Sequence, residues 1–345
     1  MKIAILTSGG DAPGMNACIR AAVRFALLSG VEVIGFHRGY QGLIEDDFEE
    51  LDHRSVSNII QCGGTFLQTD RCKHFAEKEY RLKAAEILRS HGAEGLIVIG
   101  GDGSFRGARD LYEDTGFPVV GIPGTIDNDL AYTDMTLGFD TAVNNVLWAI
   151  NALRDTMQSH NKVTFVEVMG RGCGDIALHA GITGGAEYVL IPEVPFDMDK
   201  ISAEIKESAA RGKKSNLILV AEGAGNMDDL CDYFEKATGM QARRTRLGFI
   251  QRGGSPTHID RLLAARFGIL AVKLLMEGKS GRLIGVRNGA VQDFDLEAAL
   301  AEPKRFIMRQ CRWFNWGVHH SCRAPAGRQN LRRPKTKNAA RGAAY

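Results

Sequence analysis

Residues 3–28 contain an apolar run, a glycine turn and an amphipathic helix, and this order recurs along the chain. Ile3-Ala4-Ile5-Leu6-Thr7 reads as a buried strand. Ser8-Gly9-Gly10-Asp11-Ala12-Pro13-Gly14 cannot continue as regular structure. Cys18, Ile19, Ala22, Val23, Ala26 and Leu27 then share one helical face. The same reasoning predicts helices over 78–89, from 105 to about 113, and over 139–159, 198–211, 227–238 and 259–277. It predicts strands over 31–36, 95–99, 118–121, 163–168, 188–191, 216–221, 247–250 and 283–286. Alternating strands and helices imply an α/β fold of mainly parallel sheets with helices on both faces. The length of 345 residues suits two domains.

In such sheets ligands bind at the carboxyl ends of strands, and the glycine clusters fall there. The chain has 40 glycines, well above the usual share of about 7%, in pairs and short clusters with no three-residue period. Thr7-Ser8-Gly9-Gly10-Asp11 can turn backbone N–H groups toward an anion at a helix start, although an ordinary strand–helix turn is an equal reading of this motif alone. In Gly100-Gly101-Asp102-Gly103-Ser104 an acid sits among glycines. The glycines admit a phosphate chain and the carboxylate suits Mg²⁺, a hard cation. In Pro123-Gly124-Thr125-Ile126-Asp127-Asn128-Asp129 two acids stand two residues apart. An extended backbone would face both one way, so that one takes a proton from an attacking hydroxyl and the other serves a metal, as in phosphoryl transfer. An acidic surface loop is the alternative. Arg71, Arg171, Arg243, Arg244, Arg246 and Arg252 follow other strand ends or glycine pairs and offer planar forks for phosphate.

Charge narrows the partners. Of 43 Lys and Arg, 11 lie in 303–345, a segment without Asp or Glu, and residues 1–302 carry a net charge of −9. An acidic body with a basic tail argues against nucleic acid as the main partner. No apolar run reaches the roughly 18 residues of a membrane span, and the first apolar run is too short for a signal peptide. Cys18, Cys62, Cys72, Cys173, Cys231, Cys311 and Cys322 are scattered and odd in number, as expected of a reduced, cytoplasmic protein without a disulfide framework or zinc site. Residues 303–345 are expected to form an atypical, partly disordered tail.

Taken in order, TSGGDAPGMN (7–16), GGTFL (63–67), VIGGDGS (98–104), PGTIDND (123–129), VEVMGR (166–171), GGAE (184–187), AEG (221–223) and QRGGSP (251–256) resemble the ATP-dependent 6-phosphofructokinases of the bacterial type. The resemblance covers about residues 1–300. It implies a glycolytic, allosterically regulated homotetramer that transfers the γ-phosphoryl group of Mg·ATP to the 1-hydroxyl of fructose 6-phosphate. It implies a larger ATP-binding lobe (1–138 plus 251–302) and a smaller sugar-phosphate lobe (139–250). Asp127 is then the base, with Thr125, Asp129 and Arg171 beside it. Gly10, Arg71, Cys72, Gly101, Asp102, Gly103 and Ser104 match ATP positions, with Asp102 and Asp129 for Mg²⁺. Thr125, Ile126, Asp127, Lys162, Met169, Gly170, Arg171, Glu222, Arg243, Phe249 and Arg252 match sugar-phosphate positions, Arg243 reaching in from a neighbouring subunit. Arg20, Arg24, Arg154, Gly185, Glu187, Arg211 and Lys213 match an effector site for ADP or phosphoenolpyruvate between subunits. The chain departs from the family at Lys162, commonly arginine, at Phe249, commonly histidine, and at His53 and Asn58. The rival readings are a pyrophosphate-dependent enzyme, which tends to carry an acid at position 103 and a lysine at 124, and a catalytically weak regulatory homologue.

Overall fold

The computed structural model describes residues 1–160 and 162–303, so the expectation for the basic tail falls, from residue 304 on, outside the described residues. The first part of the chain forms β1 (Lys2–Thr7), α1 (Met15–Leu28), β2 (Glu32–Phe36), α2 (Tyr40–Glu45), β3 (Phe48–Leu51), α3 (Lys78–Ser90), β4 (Gly95–Gly100), α4 (Asp102–Thr115) and β5 (Val119–Pro123). There follow α5 (Phe139–His160), β6 (Val163–Val168), α6 (Asp175–Gly184), β7 (Tyr188–Leu190), α7 (Met198–Ala210), β8 (Asn216–Ala221), α8 (Met227–Thr238) and β9 (Ala242–Arg246). The chain then forms α9 (His258–Met276), β10 (Arg282–Arg287), β11 (Ala290–Asp295) and α10 (Leu296–Ala301).

The strands make two sheets. One has seven strands in the order β11-β10-β5-β4-β1-β2-β3, and the other has four in the order β7-β8-β6-β9. The smaller sheet is parallel throughout. In the larger one the edge strands β3 and β11 are antiparallel to their neighbours. Both escaped the sequence reading because Phe48-Glu49-Glu50-Leu51 and Ala290–Asp295 carry charges where a central strand carries Val or Ile. A half-exposed edge tolerates, and is protected by, such charges. The strand expected over 247–250 is corrected for the same reason. Those residues enter a 3₁₀ turn, Gly248–Arg252, with Phe249 and Ile250 exposed. The strand is the preceding, arginine-rich β9 at the sheet edge.

Burial on both faces explains the continuous apolar runs. Ile3 and Ile5 of β1 join Ile97 and Ile99 of β4 in a core shared with α1, α5 and α9. The alternate residues Ala4, Leu6, Leu96 and Val98 join a second core with Ala84, Leu88, Phe105 and Leu111 of α3 and α4. The period of two in side-chain direction divides one strand between two cores. The first core also takes in Val166, Val168, Leu217 and Leu219 of the smaller sheet. A buried carboxylate fixes the start of α5. Asp260 accepts from the Gly138 and Thr141 N–H groups at 2.9 and 2.8 Å and from the Thr141 hydroxyl at 2.5 Å. Among the described residues, no helix is long and apolar enough to cross a membrane.

Candidate active site

Strand order decides where the site lies. β1 is flanked by β2 on one side and β4 on the other, so the chain leaves β1 in one direction and later resumes on its opposite edge. The loops at the carboxyl ends of β1 and β4 diverge there and leave a crevice. A cavity of about 260 Å³ opens at this point, lined by Gly9, Gly10 and Asp11 after β1, Gly101, Gly103 and Ser104 at the start of α4, Gly124 to Asp127 after β5, and Arg71 and Arg252.

Close backbone approach explains two of the glycines beside this cavity. A Cβ on Gly100 would stand 2.5 Å from both the Ser104 hydroxyl and the Ser8 carbonyl, closer than real contacts allow. Ser104 Oγ donates to that Ser8 carbonyl at 3.0 Å, tying the α4 start to β1. In the loop between β3 and α3, a Cβ on Gly63 would stand 2.4 Å from the Gly254 carbonyl. Asn16 holds this loop by donating to the Gly63 carbonyl at 3.0 Å and accepting from the Phe66 N–H at 2.8 Å. Thr69 Oγ1 donates to the Gly9 carbonyl at 2.9 Å. The glycine loops are therefore held as a rigid frame.

Charge within the frame suits an anion. The α4 N-terminus opens onto the cavity with its unpaired N–H groups. The Arg252 guanidinium crosses the space, 3.1 Å from where a Cβ on Gly10 would stand and 3.9 Å from Asp11. Its Nε is buried without a hydrogen-bond partner among the described residues, as expected of a donor whose acceptor arrives with a ligand. The Asp127 N–H donates to Thr125 Oγ1 at 3.3 Å, which shapes the turn carrying the proposed base.

Several expected residues stand elsewhere. The two acids of the 123–129 loop do not share an extended face. Asn128 has a φ of 50°, which turns the chain, and its side chain is tied to Asp175 and to the Thr136 N–H at 2.9 and 3.1 Å. Asp127 lines the first cavity, while Asp129 lines a neighbouring one of about 420 Å³ with Asp134, Cys173, Asp175 and Glu193. Burial pushes the Cys173 thiol up to about 12, with the Asp175 charge adding to it. Burial also raises the Asp175 carboxyl, against the Asn128 hydrogen bond. Asp102 pairs with Arg106 at 3.0 Å and does not line the first cavity. The Cys72 side chain is buried in the core with Tyr40 and Phe75.

The sugar-phosphate set beyond the first cavity is spread along the ends of β6, β8 and β9. Met169 is nearly buried, Gly170 has a φ of 128°, and Arg171 and Glu222 are exposed. Lys162 donates to Gln241, Arg243 lies on β9, and Phe249 is 77% exposed with the Arg252 guanidinium 5.4 Å above its ring. Of the effector set, Gly185, Glu187, Arg211 and Lys213 line a third cavity of about 510 Å³, and Arg154 donates to the Gly184 and Gly185 carbonyls beside it. Arg20 and Arg24 lie on α1, against the larger sheet, and do not line that cavity.

Among the described residues no three His, Cys, Asp or Glu side chains gather to hold a metal. The carboxylates expected to serve Mg²⁺ do not meet: Asp129 lines the neighbouring cavity and Asp102 pairs with Arg106. Asn16, Asn145, Gln251 and Asp260, which brace the loops, escaped the sequence reading. Asn16 and Gln251 lie within quoted motifs and Asp260 lies just beyond one, while Asn145 lies outside them; a bracing polar side chain looks like a surface one until its partners are known.

The chain is similar to known proteins along most of its length. The family model for phosphofructokinase matches residues 2–275. ATP-dependent 6-phosphofructokinase of Clostridium botulinum is 56% identical over 304 residues, 88% of this chain and 95% of the relative. The enzyme of the same name from Clostridium tetani is 56% identical over 305 residues, with the same coverage. Among solved structures, phosphofructokinase from Saccharomyces cerevisiae superposes with a TM-score of 0.81 at 34% identity, over 87% of this chain and 45% of that one. A pyrophosphate-dependent phosphofructokinase from Marinobacter aquaeolei shares the fold, with a TM-score of 0.80 at 20% identity over 94% of this chain and 93% of that one. The chain belongs to the phosphofructokinase family.

Proposed function

We propose that this protein is an ATP-dependent 6-phosphofructokinase, moving the γ-phosphoryl group of ATP to the 1-hydroxyl of fructose 6-phosphate as a step of glycolysis in the cytoplasm. The observation that carries the reading is the cavity at the β1/β4 switch point, where glycine-walled loops, the α4 N-terminus, Arg71, Arg252 and Asp127 converge. The 56% identity to enzymes of this activity supports it.

In this reading Gly10, Arg71, Gly101, Gly103 and Ser104 receive the phosphate chain, and Cys72 supports the loop beneath it. Asp127 takes the proton of the sugar hydroxyl as it attacks, and Thr125 and Arg171 stand on either side of the transfer. Met169, Gly170, Glu222, Arg243, Arg252, Lys162 and Phe249 address the sugar phosphate. Asp102 and Asp129 are the carboxylates assigned to Mg²⁺, which when bound neutralises phosphate charge. Residues 1–138 with 251–302 act as the nucleotide lobe and 139–250 as the sugar lobe. A homotetramer brings Arg243 to a neighbouring sugar site. It also brings Arg20 and Arg24 to the effector cavity for ADP or phosphoenolpyruvate.

ATP is favoured over pyrophosphate on steric grounds. Gly103 and Gly124 both line the cavity. A Cβ on Gly124 would stand 2.9 Å from Ile99 Cγ2 and 3.0 Å from Met15 Cε, so the lysine typical of the pyrophosphate branch does not fit this backbone without a shift. An acid at 103 would repel a nucleotide phosphate. The test is a coupled assay for fructose 1,6-bisphosphate with each donor. ATP is expected to support turnover. Efficient turnover with pyrophosphate, or none with ATP, would overturn the reading.

A further inference from the structure

Gln251 is fully buried, and both ends of its amide are used. Its Oε1 accepts from the Met169 N–H at 3.2 Å, and its Nε2 donates to the Gly248 carbonyl at 3.0 Å. The orientation follows from the partners, since an N–H needs an acceptor and a carbonyl needs a donor. Met169 is the first residue beyond β6 and leads through Gly170 to Arg171. Gly248 opens the 3₁₀ turn that ends at Arg252. One side chain thus joins the segment bearing Arg171 to the turn bearing Arg252. The same turn is held from outside, where the Asn145 amide donates to the Gly253 carbonyl at 2.9 Å and the Leu247 N–H donates to the Glu167 carbonyl at 3.1 Å.

We infer that Gln251 is a positioning residue for the sugar phosphate: it sets the separation between the Met169–Arg171 segment and the Arg252 turn while touching no substrate itself. The inference rests on the proposed reading for the identity of the substrate, and on the hydrogen bonds alone for the coupling of the two segments. An error of about 1 Å in placing a binding group can cost on the order of 100-fold. The nucleotide loops are held by other bonds, from Asn16, Thr69 and Ser104, and meet the turn through the Arg252 side chain beside Gly10 and Asp11, so the defect should fall chiefly on the sugar phosphate.

Methionine at 251 keeps the volume and removes both hydrogen bonds. Gln251→Met is expected to raise the KM for fructose 6-phosphate roughly 10- to 100-fold and to leave the KM for ATP within about twofold. Gln251→Glu adds a rescue. A buried carboxyl titrates above its usual range, and when protonated it offers one O–H donor and one carbonyl acceptor, as the amide does. Its fructose 6-phosphate KM, divided by that of wild type at the same pH, is expected to fall as pH is lowered from 8 to 6, while the same ratio for Gln251→Met stays flat. A fructose 6-phosphate KM within twofold of wild type in Gln251→Met overturns the inference, as does a parallel rise in both KM values. Should the wild type act on a different sugar phosphate, or on none, amide hydrogen exchange decides. Faster exchange at Met169 in Gln251→Met is expected, and an unchanged rate overturns the coupling. If Gln251→Met fails to fold, exchange at Met169 in Gln251→Glu at pH 8 gives the same decision.

Discussion

The cavity at the β1/β4 switch point and the cavity beside α7 both face phosphate in the proposed reading, and they are built by opposite means. The first lies at the carboxyl ends of β1, β4 and β5, where a helix begins and its free N–H groups point inward. Glycine loops supply most of its wall. The second lies at the amino ends of β7 and β8, against the last turn of α7 and the end of α6. Helix C-termini carry partial negative charge, so an anion there depends on side-chain cations. Those cations already have partners. Arg211 pairs with Glu207 at 2.7 Å, Lys213 pairs with Glu187 at 3.0 Å, and Arg154 caps the α6 carbonyls. One chain completes the first cavity from its own backbone, whereas the second offers spent charges and gains nothing from Arg20 or Arg24 within the chain. In the proposed reading the difference separates a site framed mainly by the fold of one chain from one that awaits Arg20 and Arg24 of a neighbouring subunit.

The largest effect expected from breaking this contrast is at the first cavity. Asp127→Asn removes the proposed base and should lower kcat by about 10²–10⁴-fold, with ATP affinity by calorimetry within threefold of wild type. A rate within threefold of wild type removes Asp127 from that role.

A smaller effect is expected at the second cavity. Lys213→Ala should raise the ADP concentration for half its effect roughly 5- to 10-fold, about 1–1.4 kcal/mol. The figure is kept low because the lysine is largely exposed and screened. An unchanged ADP response places the effector elsewhere.

The smallest effect concerns a bond that borders the cavity between these regions in the chain, from Asn128 after β5 to Asp175 at the start of α6. Burial raises the Asp175 carboxyl in the folded protein. The folded state therefore binds that proton more tightly than the unfolded chain does, and folding gains from Asp175 as pH falls through the folded value. The difference in Tm between wild type and Asp175→Asn should move in favour of wild type between pH 7 and 4.5. A constant difference would show that the carboxyl titrates in the folded protein as it does in the unfolded chain, and a move against wild type would show that its charged form is stabilised.

Much of this was legible in the chain itself. The runs at 3–7, 95–100 and 163–168 read as central strands because burial on both faces demands unbroken apolar residues. The glycine clusters read as ligand loops because only glycine permits such backbone contacts. Fold class and the β-end location of the first cavity follow from those local rules. Other features depend on residues far apart in sequence. The charged edge strands β3, β9 and β11 are stabilised by pairing, which no local pattern reveals. Asn128, with its positive φ, sends Asp127 and Asp129 into different cavities because Asp175, 47 residues on, holds its amide. The roles of Gln251 and Asp260 emerge only when β6, α5 and α9 are brought together. Local sequence fixes what each segment can be, through sterics and burial period; the direction a buried polar group faces is decided by partners that only the folded chain supplies.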